Sequence, residues 1–273
     1  MTMSEIRERV MTPAPLVPSS WLITVGEQAL SILSPLLLIF TWEILVRVQV
    51  LDWRFFPAPS SILGTFAALV SSGELLLHVT ASLKRVLLGF VVGAVPGLGL
   101  GLAMGLSRWV RAALNPMIAA TYPIPKSAIV PLVMLIFGLG EASKVALVAI
   151  GVFYLVLINT MAGVMNIQRI YVEAARNFGA DRLGLFRTVA LPGALPLIFT
   201  GLRLGMGIGL ILIVIAEMVG ARSGIGYMIW QAWQIFAVER MYVGLVVIAI
   251  LGWLTSLILD GVERLLVPWK PRG

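Results

Sequence analysis

An all-α integral membrane protein, with six transmembrane helices and a helical cytoplasmic loop, is the fold class this sequence predicts, and three observations predict it. Of 273 residues, 59% are hydrophobic and only 12% charged, with a mean hydropathy of +1.00. A soluble domain carries about 25% charged residues because they cover its water-facing surface. Six stretches are long enough to supply the roughly 20 apolar residues that a helix needs to cross a ~30 Å hydrocarbon core. The third observation is an absence: with no cysteine and one histidine, His78, disulfides, thiolate chemistry and multi-histidine or cysteine-ligated metal sites are excluded. The 20 Lys and Arg against 13 Asp and Glu give a net charge of +7. In a chain this apolar, that excess fits basic cytoplasmic loops and not nucleic acid.

Residues 1–27 read as a cytoplasmic tail, broken by Pro13, Pro15 and Pro18. No small-residue cleavage site follows the next apolar run, so the first span, about 28–48, is expected to be a retained anchor. Glu43 near its end is four residues from Arg47, a spacing that lets the two pair on one helix face. The second span, about 86–107, carries glycines at 89, 93, 97, 101 and 105, one ridge along one face of the kind that lets helix backbones approach closely in lipid. His78, ahead of it, reads as an interfacial residue. The third span, about 115–138, holds Pro116, Pro123, Pro125 and Pro131. Each proline removes a backbone donor and clashes with the preceding turn, and broken backbone at membrane depth is tolerated only inside protein or beside water. The fourth span, about 145–168, is uncharged. The fifth, about 194–220, repeats the glycine device at 201, 205 and 209 and carries Arg203 and Glu217. Residues 223–238 are uncharged but too short to span, and read as an interfacial or re-entrant helix before the sixth span, about 241–260. Six spans leave both termini on one side. Eleven basic residues in the segments on that side, against seven on the other, place the termini in the cytoplasm.

The loop 169–192 is the most informative segment. Residues 171–181 read as a short helix with Glu173 near a helix start, where negative charge is favoured. Ala174 and Ala175 give it a low-profile surface, and Gly179 terminates it. Asp181 then caps a second short helix, 182–190, which Leu191-Pro192 ends before the fifth span. Glu-Ala-Ala, three residues, Gly, nine residues, an aliphatic, one residue and Leu-Pro is realised by Glu173, Ala174, Ala175, Gly179, Val189, Leu191 and Pro192. With these spacings the chain resembles the permease subunits of bacterial ABC importers, whose EAA loop has this pattern. Further residues resemble the nitrate/sulfonate/taurine/bicarbonate-type subgroup: Ser82 to Arg85, Tyr122-Pro-Ile-Pro-Lys126, Pro131-Leu132, Phe137 to Glu141, Glu217, Glu263-Arg264 and Trp269.

The resemblance implies a type I ABC importer permease fold in the bacterial inner membrane and no enzymatic activity in the chain itself. It also implies four kinds of partner: two copies of an ABC ATPase subunit, an extracytoplasmic solute-binding protein, a second permease copy forming a homodimer, and membrane lipid. Glu173, Ala174, Ala175, Gly179, Asp181, Leu191 and Pro192 would then couple to the ATPase. The cargo class implied is a small anionic solute. Ionisable groups at membrane depth are functional candidates, so Tyr122, Pro123, Pro125, Lys126 and Glu217 are candidates for the translocation path. For Lys126 two further alternatives stand, snorkelling outward or pairing with Glu217. No cofactor or metal is expected. A phosphate-binding loop needs Gly-x-x-x-x-Gly-Lys-[Ser/Thr], and none of Lys84, Lys126, Lys144 and Lys270 follows a glycine, so the ATPase must be another chain. A self-sufficient secondary transporter or channel is the alternative function, but it leaves the EAA loop unexplained. An intramembrane enzyme lacks support, since Asp52, Asp181 and Asp260 are too dispersed for a dyad.

Overall fold

The computed structural model describes residues 20–269 and is helical throughout, with no strand among the described residues. The helices are α1 (Ser20–Arg47), α2 (Pro59–Ser71), α3 (Glu74–Leu106), α4 (Arg108–Thr121), α5 (Val130–Phe137), α6 (Glu141–Met165), α7 (Arg169–Asn177), α8 (Arg182–Leu185), α9 (Leu191–Gly220), α10 (Ile225–Gln234) and α11 (Val238–Leu266). A π-helical turn, Phe186–Ala190, joins α8 to α9. The chain divides into two units at Ser61/Ile62.

In the first unit, α1 begins eight residues before the predicted span. Most of the predicted 1–27 tail, residues 1–19, lies outside the described residues. The expected Glu43–Arg47 pair forms at 2.7 Å, and Glu43 also accepts from the backbone N–H and hydroxyl of Ser60 at 3.0 and 2.8 Å. Glu43 thereby caps the start of α2, a short helix the sequence pattern did not announce.

The second unit is built on α6. The glycine ridge of α3 faces it: a Cβ on Gly97 would sit 2.9 Å from the Phe153 carbonyl oxygen, and one on Gly101 2.7 Å from that of Leu157. The ridge of α9 meets α6 from another side, with Gly201 against Asn159 and Val156, Gly205 against Val152 and Gly209 against Val148. Val148, Val152 and Val156, one helical turn apart, are wholly buried between the two ridges. Stiff β-branched side chains from one helix thus fill the channels left by glycines on two others, so both ridges serve packing within the chain. α11 packs on α9 and α10, where Gly244 lies under Ile229.

Among the described residues, four helical stretches are long and apolar enough to cross a membrane: Glu74–Leu106, Glu141–Met165, Arg182–Gly220 and Val238–Leu266. The third expected span is not one helix. It is split into α4 and α5 by residues 122–129, because Pro123 and Pro125 cannot donate to the helical ladder and disfavour helical geometry in the residues before them. Pro131 then sits in the first turn of α5, where a missing donor costs nothing. The second span starts at Glu74, twelve residues earlier than expected, which brings His78, Ser82 and Arg85 onto the helix.

Candidate functional site

The loop 169–192 has the geometry its residues dictate. α7 ends in a Schellman motif: Gly179, at φ +81°, donates to the Arg176 carbonyl at 2.9 Å, and Ala180 donates to that of Ala175 at 3.0 Å. A left-handed residue is required there, and glycine adopts it without the Cβ penalty. Asp181 caps α8, its side chain accepting from the Gly184 N–H at 2.7 Å. Glu173 and Ala174 are exposed, Ala175 is half-buried, and Phe178 beside them is 92% exposed. Ile170, Tyr171 and Leu183 are also exposed, so these two short helices present an apolar surface among four arginines.

Two details of the loop differ from expectation. α7 starts at Arg169, so Glu173 lies in the second turn, beyond the reach of the helix dipole's favourable end; its carboxylate is simply presented outward. Leu191-Pro192 does not end the helix. The chain runs on from α8 into α9 because the π-turn absorbs the proline: the Leu191 N–H reaches back five residues to the Phe186 carbonyl, and Pro192 takes a first-turn position of α9. One wide turn removes the clash that a proline makes with an ordinary α-helical ladder.

The break between α4 and α5 holds Tyr122, Pro123 and Pro125, all exposed, and Lys126, which is partly buried. The Lys126 ammonium does not meet Glu217. It donates to the carbonyls of Thr121, Tyr122 and Ile124 at 3.2, 2.9 and 2.9 Å, acceptors that the broken helix leaves without intrahelical donors. It lies 4.3 Å from the ring centre of Tyr154 on α6 and 5.8 Å from that of Tyr122.

Glu217 belongs to a different cluster, at the end of α9 remote from the loop 169–192. Its carboxylate has no solvent exposure and pairs with Arg85 at 2.7 Å. It accepts from the Ser82 hydroxyl at 2.8 Å and from the Gly226 N–H at 3.0 Å. Ser82 in turn accepts from the Ile225 N–H at 2.8 Å, and His78 Nδ1 accepts from the Gly224 N–H at 3.1 Å. Three successive backbone donors at the start of α10 thus find side chains of α3 and α9. His78 is buried and serves as a cap for the start of α10. Gly224, at φ +116°, passes so close to the Glu217 carboxylate that no side chain fits. Arg85 also holds Glu141 in a bidentate pair and the Ser223 carbonyl, while Lys144 gathers the carbonyls of Leu139, Gly140 and Gly220 at 2.8–2.9 Å. Near the middle of α9, Arg203 pairs with Asp260 at 2.7 Å and with Glu263, tying α9 to α11.

The sequence pattern singled out Ser82 to Arg85, Glu141 and Glu217 separately, and the fold brings them together; it gave no sign that Arg85 is the partner of Glu217. The signal available was weak: an arginine three residues after a serine at the start of an apolar run, and a single glutamate in another.

Comparison with known proteins agrees with this architecture. Residues 96–270 match the family described as binding-protein-dependent transport system inner membrane component. The taurine transport system permease protein TauC of Escherichia coli is 36% identical over 248 residues, 89% of this chain and 90% of its own length. SsuC of the same organism, a permease protein named for aliphatic sulfonates transport, is 38% identical over 92% of this chain and 94% of its own. The riboflavin transport system permease protein RibX of Chloroflexus aurantiacus is 37% identical over 86% and 87%. Among solved structures, the inward-facing MetNI methionine ABC transporter aligns with a TM-score of 0.57 at 22% identity, covering 68% of this chain and 93% of that one. An amino acid ABC transporter crystallised with histidines aligns with the same score at 21% identity, and both show a shared fold. From this agreement of motif, fold and relatives, the chain belongs to the binding-protein-dependent inner membrane component family, the permease subunits of ABC importers.

Proposed function

We propose that this chain, paired with a second copy, forms the path by which a small organic sulfonate or similar anion is imported, with residues 169–192 docking into a cytoplasmic ATPase subunit. On this reading the ATPase is present in two copies, an extracytoplasmic binding protein delivers the cargo, and both termini face the cytoplasm. The observation that carries it is the coupling loop: a short helix closed by a left-handed glycine, capped anew by Asp181, and exposing Glu173, Ala174 and the Phe178 ring. Exposed apolar surface of this kind marks an interaction site. The broken segment 122–129 supports a wet path, because its non-helical backbone and its ammonium are tolerated at membrane depth only against protein or water. The relatives named for taurine and aliphatic sulfonates support the cargo class.

Gly179→Val tests the coupling role. Open space surrounds the position, so the penalty comes from the backbone alone: an L-residue held in left-handed geometry loses about 1–2 kcal/mol, and a β-branched one is a worse fit. The expected result is normal membrane insertion with ATP-driven uptake in proteoliposomes reduced at least tenfold, and a milder defect in Gly179→Ala. Wild-type uptake by Gly179→Val would refute the docking assignment. Cargo is tested by comparing uptake of a radiolabelled short alkanesulfonate with that of a flavin through the wild-type complex and its receptor. Uptake of the flavin alone would replace the anion with a neutral heterocycle.

A further inference from the structure

Lys126 differs from Arg85 and Arg203 in that its charge is not compensated by a carboxylate among the described residues. Arg85 is neutralised by Glu141 and Glu217, and Arg203 by Asp260 and Glu263. Lys144 is held by carbonyls but stands within the field of Glu141 and Glu217. The three groups that hold Lys126 are neutral carbonyls, and no carboxylate among the described residues pairs with it. Those carbonyls orient the ammonium without cancelling its charge.

Around that charge stand two tyrosines from different elements. Tyr122 comes from the end of α4 and Tyr154 from α6, with ring centres 6.1 Å apart, and the ammonium lies near both rings. Tyr154 is braced by an edge-on contact with Phe153 at 5.3 Å. Neither phenol makes a hydrogen bond to the described residues, so each has an O–H donor to offer. Tyr122 is exposed and Tyr154 partly so, which leaves the group open to a small molecule. A fixed positive charge, two free hydroxyl donors and two aromatic faces complement a small anion bearing several acceptor oxygens on a short apolar chain.

We propose that Tyr122, Lys126 and Tyr154 form a cargo subsite within the permease itself, and that it takes the sulfonate group of a short-chain organic anion. Lys126 supplies the charge, the tyrosine hydroxyls donate to the sulfonate oxygens, and the rings cover the adjoining methylenes. The inference rests on the path reading above and adds Tyr154, which the sequence pattern did not single out. The bond pattern of Lys126 also makes the site responsive: an anion that draws the ammonium toward itself loosens its hold on the carbonyls of the break, so occupancy and the geometry of the α4–α5 junction are linked.

The test is direct binding of radiolabelled ethanesulfonate to the purified permease–ATPase complex without its receptor, with uptake by the receptor-loaded complex measured in parallel. Saturable binding is expected for the wild type. Lys126→Met is expected to weaken it at least tenfold, with Lys126→Arg restoring most of the loss. Tyr154→Phe is the decisive variant, because it keeps the ring, its packing and its contact with the ammonium and removes only a donor. A three- to tenfold loss of affinity is expected from it, and a role confined to packing would leave binding unmoved. Wild-type affinity in both Lys126→Met and Tyr154→Phe overturns the subsite. Should Lys126→Met fail to assemble, Tyr154→Phe alone decides. If the wild-type complex imports sulfonates while these variants bind them normally, the subsite fails and the proposed function stands. If the wild-type complex imports no sulfonate, the proposed function fails first.

Discussion

Gly93→Val is expected to abolish accumulation of the folded protein, while Gly99→Val on the same helix leaves it near wild type. A Cβ at Gly93 would overlap the carbonyl oxygen and Cα of Ala149. These are backbone atoms of the central helix and cannot swing aside, so α3 and α6 would have to separate along the whole ridge. Overpacking of this kind costs about 1–3 kcal/mol where side chains can adjust, and more where backbone meets backbone. Gly99 is exposed and has no atom within 4 Å of its would-be Cβ, so a valine there meets no steric conflict within the chain. Detergent-solubilised yield and the midpoint of a thermal aggregation assay would check the pair. Equal behaviour of the two variants would show that the ridge does not hold the bundle together.

The second large effect is expected at the buried carboxylate. Glu217→Ala removes the inner partner of Arg85, the acceptor of the Ser82 hydroxyl and the acceptor of the Gly226 N–H at one stroke. Breaking a buried ion pair from one side costs about 3–5 kcal/mol, a large share of the 5–15 kcal/mol that holds a typical domain folded. Glu217→Gln preserves the shape and can still accept from Gly226, so it is expected to lose clearly less. Limited proteolysis in the turn 220–224 would separate the two variants, with Glu217→Ala cut fastest because the start of α10 has lost its anchor. If Glu217→Ala matches the wild type in proteolysis and thermal stability, the cluster is not a structural anchor.

How much of this was legible in the sequence depended on how far each interaction reaches along the chain. Gly179 and Asp181 act within five residues, so local spacing revealed both the helix stop and the following cap. The glycine ridges were legible as faces, and the valines they receive follow once α6 is placed between them. The proline break was legible as a break, because Pro123 and Pro125 act on their own neighbours. Pairing was another matter: Glu217 and Arg85 lie 132 residues apart, and a lone acid and a lone base in separate apolar runs carry no mark of each other. The nearest alternative, Glu217 with Lys126, was wrong because Lys126 is occupied by the carbonyls its own prolines set free. The continuity of α8 into α9 was hidden for a similar reason. Leu191-Pro192 has the local look of a helix end, and only the widened turn before it allows the helix to continue.

That widened turn has a consequence for exchanging parts between transporters. One residue beyond the ordinary ladder rotates everything on its far side by about 100°, the angle one residue subtends in an α-helix. Residues 186–190 therefore act as a phase insert, which fixes the compass bearing of Phe178 and Glu173 relative to the Gly201–Gly205–Gly209 face of α9. A chimera that transplants residues 169–185 onto a host lacking the insert would present the same exposed surface, proposed above to dock the ATPase, in a different direction. A one-residue deletion within 186–190 would do the same to the native chain, with every residue of the EAA pattern before it intact.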